Sequence, residues 1–156
     1  MIKYLLTFLI SMVPLIELRG AVPFAIGWGI HYFPALIVSI IGNMIPVPFI
    51  YFFARKVLQW GADKKYIGKF FTFCLVKGER AGQKLVSKTG RGGLFVALLL
   101  FVGIPLPGTG AWTGALAASF LNMGFKSTVA SVSLGVVLAG IIMAVASTGV
   151  FSIIGL

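Results

Sequence analysis

Pro14-Leu15-Ile16-Glu17-Leu18-Arg19-Gly20-Ala21-Val22-Pro23 is the stretch on which the fold turns. Glu17 and Arg19 are its only charges, and apolar sequence flanks it on both sides, residues 4–16 before the break at 17–23 and residues 24–33 after it. The first run is too short to cross a bilayer, since a spanning helix needs about 20 apolar residues. Pro14, Gly20 and Pro23 are breakers: proline cannot donate a backbone hydrogen bond and ends a helix at the residue before it, and glycine admits conformations and close approaches closed to other residues. A charged pair between two half-length apolar arms lies inside the membrane or at the bottom of a cavity cut into it. Ionisable groups at that depth are costly to bury and usually face a bundle interior or a water-filled path. Glu17 and Arg19 are therefore the first candidates for function.

Composition supports the membrane setting. Of 156 residues, 59% are hydrophobic and 10% charged, with a mean hydropathy of +1.06. A soluble domain carries about 25% charged residues. An outer-membrane barrel would show alternating segments of about ten residues, and none is seen, so the expected class is an all-α integral membrane protein. Ten of the thirteen Lys and Arg lie between Arg55 and Arg91, opposed there only by Asp63 and Glu79. Basic loops stay cytoplasmic, which places residues 55–92 inside. The same cations suit contact with anionic membrane lipids; lying against the membrane, they are poorly placed for nucleic acid. Within this connector Tyr66, Ile67, Phe70, Phe71, Phe73 and Cys74 suggest a helix lying in the interface, and residues 79–88 suit a second short helix. Cys74 is alone, so it forms no intramolecular disulfide and reads as a small buried hydrophobe. His31 is also alone and reads as an interfacial residue beside Tyr32. Lys3 and residues 4–16 resemble a short signal peptide, but no small-x-small cleavage site follows, and the segment is read as mature structure.

Segment lengths set the topology. Residues 34–54 and 127–151 are uncharged and long enough to span. Two further apolar regions, 4–33 and 94–122, are interrupted in the middle, the second at residues 105–110. Their arms of about 10–13 residues reach roughly 15–20 Å, half a bilayer core. Each reads as a re-entrant helical hairpin, because non-helical backbone at that depth is tolerated only where protein buries it or where it lines a cavity. The expected fold is thus an inverted repeat: a first repeat 1–54 (hairpin 4–33, transmembrane helix 34–54), the basic connector 55–92, and a second repeat 93–156 (hairpin 94–122, helix 127–151). With the connector inside, the first hairpin opens outward and the second toward the cytoplasm, the plan of many secondary transporters. The competing arrangement is four ordinary short helices, which would leave Glu17 and Arg19 in an exposed loop.

The tips carry the candidate chemistry. Glu17 can hold or release a proton, and Arg19 can present a planar fork to a carboxylate or phosphate. Residues two apart do not face each other on a helix, but in a non-helical tip they can, so the pair could equally pin the hairpin as a salt bridge. The second tip brings Pro105, Pro107, the backbone amides of Gly108 and Gly110, and the hydroxyls of Thr109 and Thr113. Gly20 and Pro23 close the first tip. Asn43, a lone amide near Pro46 and Pro48, suits an interhelical hydrogen bond or the lining of a path. Three acids, one His and one Cys leave few groups for acid–base or nucleophilic chemistry, and there is no Walker A sequence. No enzyme activity, metal or cofactor is expected.

The motif Glu17-Leu18-Arg19-Gly20-Ala21-Val22-Pro23, with Pro105-Leu106-Pro107-Gly108-Thr109-Gly110-Ala111-Trp112 far downstream, resembles the small multidrug export family of prokaryotic membrane proteins, over nearly the whole chain. That resemblance implies a multi-pass protein of the inner (plasma) membrane and a role in efflux. The family is in turn distantly similar to the DedA/VTT superfamily, which has two re-entrant hairpins and includes polyprenyl-phosphate translocases and lipid scramblases. The chain departs from that pattern: DedA proteins carry arginines near the second tip, and residues 104–112 have none. The expected function is a proton-coupled secondary transporter of a small amphiphilic or anionic substrate, with a lipid translocase or a non-transporting assembly protein as alternatives. Two spans and two hairpins are too few to enclose a path, so a homodimer is expected.

Overall fold

Helices form where the apolar runs predict them. The computed structural model describes residues 1–14, 16–66, 68–106 and 109–154, leaving aside the side chains of 58, 71, 74, 75, 77–79, 81, 82, 85, 86 and 151–154. They make α1 (Ile2–Met12), α2 (Glu17–Gly27), α3 (Tyr32–Met44), α4 (Pro46–Ala62), α5 (Gly68–Gly103), α6 (Ala111–Phe120) and α7 (Phe125–Ile154). No strand occurs among the described residues. His31 caps α3, its Nδ1 accepting from the Phe33 amide at 3.5 Å. Only Ile45 separates α3 from α4, and its backbone stays helical (φ −59°, ψ −45°).

Among the described residues two helical runs are long and apolar enough to cross a membrane: Tyr32–Ala62 with 31 residues and Phe125–Val150 with 26. At 1.5 Å per residue each exceeds the roughly 30 Å hydrocarbon core. Only 39% of each run's most apolar stretch is buried within the protein. Phe49, Phe53 and Val145 are 72%, 70% and 67% exposed. The central helix of a soluble protein would hide such a surface; a helix facing lipid has no need to.

The half-length segments pair. Lys3 Nζ donates to the Trp28 carbonyl at 2.7 Å, joining the start of α1 to the end of α2, so these two run antiparallel, and both rest on α3. Gly42 makes the seat of α1 on α3 possible: a Cβ there would come within 2.6 Å of the Phe8 carbonyl oxygen. Gly42→Ala should therefore lower the thermal midpoint of the detergent-solubilised protein by about 5 °C, from an overpacking cost of about 1–3 kcal/mol. An unchanged midpoint would show that α1 is not held this closely.

The second half repeats this close packing. α5 breaks at Gly90 (φ 72°, ψ 177°), and its later part lies on α7, where a Gly135 Cβ would meet the Leu99 carbonyl at 2.7 Å and Ser131 Oγ donates to the Phe95 carbonyl at 2.7 Å. α6 rests on α4 through Ser119 Oγ, which donates to the Tyr51 carbonyl at 3.2 Å. One core joins the halves: Leu18 and Val22 from α2, Val47 and Tyr51 from α4, Leu98 and Val102 from α5, Ala111 and Ala115 from α6, Val132 and Val136 from α7.

Three expectations are corrected. The first break does not run through residues 17–23: α2 is helical from Glu17, with Pro23 inside it. Proline removes only its own bond to the Arg19 carbonyl, and the fully buried Ala21, Val22 and Ala25 supply packing that overrides that loss. Glu17 and Arg19 do not lie in an exposed loop either, for Glu17 is only 5% exposed. In the connector, Arg55 and Lys56 continue α4, and residues 79–88 belong to the long α5 rather than to a short helix of their own. Cys74, Pro107 and Gly108 were singled out in the sequence; the Cys74 side chain, Pro107 and Gly108 lie outside what is described.

Candidate functional site

Glu17 opens α2 in the left-handed backbone region, φ 49°, which costs a non-glycine residue roughly 1–2 kcal/mol. That conformation accompanies a carboxylate aimed at the other half of the molecule. Its Oε2 accepts from the Ala111 amide at 3.2 Å and its Oε1 from the Trp112 amide at 3.0 Å. These are the first two residues of α6, whose N–H groups have no partner within their own helix and carry its positive pole. Gly110 precedes them with an extended backbone (φ 166°), and a Cβ at this position would overlap the Glu17 carboxylate.

Arg19 lies one half-turn further along α2 and serves the opposite pole. Its Nη1 donates to the Leu106 carbonyl at 3.0 Å. Its Nη2 is shared among the Val102 carbonyl at 3.2 Å, the Ile104 carbonyl at 3.3 Å and Thr109 Oγ1 at 2.8 Å. The Val102 carbonyl belongs to the end of α5, where helical acceptors lack intrahelical donors and the dipole is negative. Those of Ile104 and Leu106 lie in the break after it, where they also accept from the Leu106 and Thr109 amides at 2.8 and 3.2 Å. Thr109 Oγ1 in turn approaches the Ile104 and Leu106 carbonyls, both at 2.9 Å. The guanidinium and this hydroxyl thus organise the second break from within.

The two charges are not an ion pair: no hydrogen bond joins them, and each takes its partners from the second half. The salt-bridge expectation is corrected for the reason that would have predicted it had the helix been foreseen: residues two apart on a helix point in different directions. One carboxylate holds the start of α6 and one guanidinium holds the end of α5. Together they bind the second break across the fold.

A small cavity of about 10 Å³ opens beside them, lined by Glu17, Arg19, Asn43 and Gly110 among others. That is close to the room one water molecule needs. Asn43 is 2% exposed and its Oδ1 has no hydrogen-bond partner. A buried orphan acceptor costs about 1–3 kcal/mol, so its position against this cavity is notable.

The structure therefore gathers Glu17, Arg19, Asn43, Thr109 and Gly110, with half-buried Pro105 in the same break. Thr113 points elsewhere, its Oγ1 donating to the Gly110 carbonyl at 3.3 Å. A Cβ on Gly20 would overlap the Ile16 side chain, so Gly20 serves the entry into α2. Pro23 lines a separate open hollow of about 370 Å³ with Phe24, Gly27 and Trp28. Sequence reasoning missed the amides of Ala111 and Trp112, having looked to those of Gly108 and Gly110. The signal was present: the unpartnered amides belong to the residues that begin the helix after the glycine.

Residues 17–142 match the model of a family described as "Putative small multi-drug export protein". The match begins at Glu17, where α2 starts, and takes in the second break. No curated protein and no solved structure matches the chain.

Proposed function

This chain belongs to the putative small multi-drug export protein family, and we propose that it is a proton-coupled membrane transporter in which Glu17 is the proton-exchanging group. The observation that carries this reading is the dual position of Glu17: its carboxylate holds the α6 amides of Ala111 and Trp112 and borders a water-sized cavity with the unpartnered Asn43 Oδ1. Protonation removes the negative charge that complements the helix pole and leaves a weaker acceptor. The start of α6 is then released from α2, and its amides become available to an anionic group of a small amphiphilic substrate. Exchange of one proton at Glu17 would in this way change both the packing of the two breaks and the binding capacity of the junction.

In this reading α1–α2 and the end of α5 with α6 are re-entrant hairpins, opening from the outside and the cytoplasm respectively. They stand in an inverted repeat, each followed by one of the two long apolar helices. The basic connector faces the cytoplasm of a prokaryotic cell, and a second copy of the chain completes the path. The half-length of the paired helices and the clustering of Lys and Arg between residues 55 and 91 support this arrangement. A lipid translocase that used Arg19 as its phosphate ligand fits less well, because both Nη groups are already engaged.

The test is dye efflux from proteoliposomes under an imposed pH gradient, with an amphiphilic fluorescent dye as the probe. Wild type should show efflux that depends on pH. Glu17→Gln should lose that dependence, while Glu17→Asp, which keeps a titratable group, retains a shifted form of it. Efflux by Glu17→Gln with the wild-type pH profile would overturn the proton role.

A further inference from the structure

The junction leaves one feature of the chain unused, the basic and aromatic stretch where α4 gives way to α5. A Cβ on Gly68 would lie 2.6 Å from the Ala62 carbonyl oxygen, so the start of α5 crosses the end of α4 at a spacing that only glycine allows. Beside this crossing is an open cleft of about 750 Å³, within the range of roughly 300–1,000 Å³ typical of ligand sites. Lys64, Lys65, Lys69 and Arg80 line it together with Phe73 and Val76, and no described acidic side chain does. The cleft is thus both cationic and apolar.

Its surroundings locate it. Trp60, Tyr66 and Phe70 are 60%, 94% and 66% exposed, and Lys64 Nζ sits 4.5 Å from the centre of the Trp60 ring. Trp60 lies in the last turn of Tyr32–Ala62, a helical run long and apolar enough to span, and Tyr66 and Phe70 follow its end. Trp and Tyr collect at the level of lipid headgroups, and clustered Lys and Arg just beyond a span attract anionic lipid. A soluble anion would use the cations but leave the aromatic surface in water.

We propose that this cleft binds one phospholipid with an anionic headgroup. The headgroup phosphate lies among Lys64, Lys65, Lys69 and Arg80, and the lipid's apolar portion covers Phe73 and Val76. The site is separate from the Glu17 junction and does not depend on proton coupling.

Native mass spectrometry of the detergent-solubilised protein, offered equal amounts of phosphatidylglycerol and phosphatidylcholine, tests the proposal. Each cation near an anionic lipid surface raises affinity by about fivefold. Wild type should retain one phosphatidylglycerol at least about tenfold over phosphatidylcholine, and the exposed double variant Lys69→Gln/Arg80→Gln should lose most of that preference. Arg91→Gln/Lys126→Gln, equal in charge change but away from the cleft, should keep it. Equal retention of both lipids by wild type, or equal loss in the two double variants, overturns the site. Displacement of the lipid by millimolar inorganic phosphate would overturn the assignment to a lipid.

Discussion

Arg19→Met should lower the thermal midpoint of the solubilised protein by about 10 °C, the largest effect expected of any single side chain in this fold. The guanidinium serves the Val102, Ile104 and Leu106 carbonyls and the Thr109 hydroxyl at once. Hydrogen bonds from a charged donor contribute about 1.5–3 kcal/mol each, and methionine supplies none of them while keeping much of the apolar stem. The carbonyl of buried Val102 at the end of α5 then loses its side-chain donor, and the Ile104 and Leu106 carbonyls are left with the Thr109 hydroxyl and one backbone amide each. Allowing for sharing of one Nη group among three acceptors, the loss is about 3–5 kcal/mol, which corresponds to roughly 10 °C for a chain of this size. Arg19→Lys should recover less than half of it, since an ammonium is a point donor and cannot reproduce the fork. Thr109→Val should cost less alone and show a coupling of about 1 kcal/mol or more with Arg19→Met in a double-mutant cycle. A midpoint for Arg19→Met within about 2 °C of wild type would mean that Arg19 does not hold the second break.

Gly110→Ala is the second large effect, and its cause can be isolated. Many glycines are needed for their backbone angles; this one is not, because φ 166° is extended backbone open to any residue. What forbids a methyl group is the Glu17 carboxylate in the space it would fill. Alanine must push the carboxylate away from the Ala111 and Trp112 amides, which breaks two charge-assisted hydrogen bonds and exposes the positive pole of α6. The expected cost is about 2–4 kcal/mol, seen as a lower midpoint and faster amide hydrogen exchange in the first turn of α6. The same substitution placed in a Glu17→Ala background should cost little, because the obstructing side chain is gone. The non-additivity should be about 1–3 kcal/mol. Simple additivity would show that Gly110 is required for some reason other than its contact with Glu17.

These two predictions concern one joint, and they explain why it was only half legible beforehand. Glu17 and Arg19 stood out because nothing else within the surrounding apolar sequence is charged, and the physics of burial does not depend on knowing the fold. The prolines and glycines at 105–110 likewise marked a second break. What could not be read was that each charge answers a helix pole in the other half, more than 80 residues away in the chain. Helix-end groups become partners only when the termini are placed in space. The first break was also misjudged: Gly20 and Pro23 read as breakers locally, yet tertiary burial of Ala21, Val22 and Ala25 carries α2 through them.

By itself, then, the sequence determined the class of protein, the two long apolar helices, the half-length segments and the identity of the two charges at the junction. Each of these follows from composition and run length, quantities that are properties of neighbouring residues. The tertiary structure decided the partners: Glu17 for the start of α6, Arg19 for the end of α5, Asn43 beside a cavity the size of a water molecule, and Gly110 small for the sake of a carboxylate. Those pairings depend on which surfaces meet when the half-length helices pack, and the geometry of that meeting is not written in any local stretch of chain.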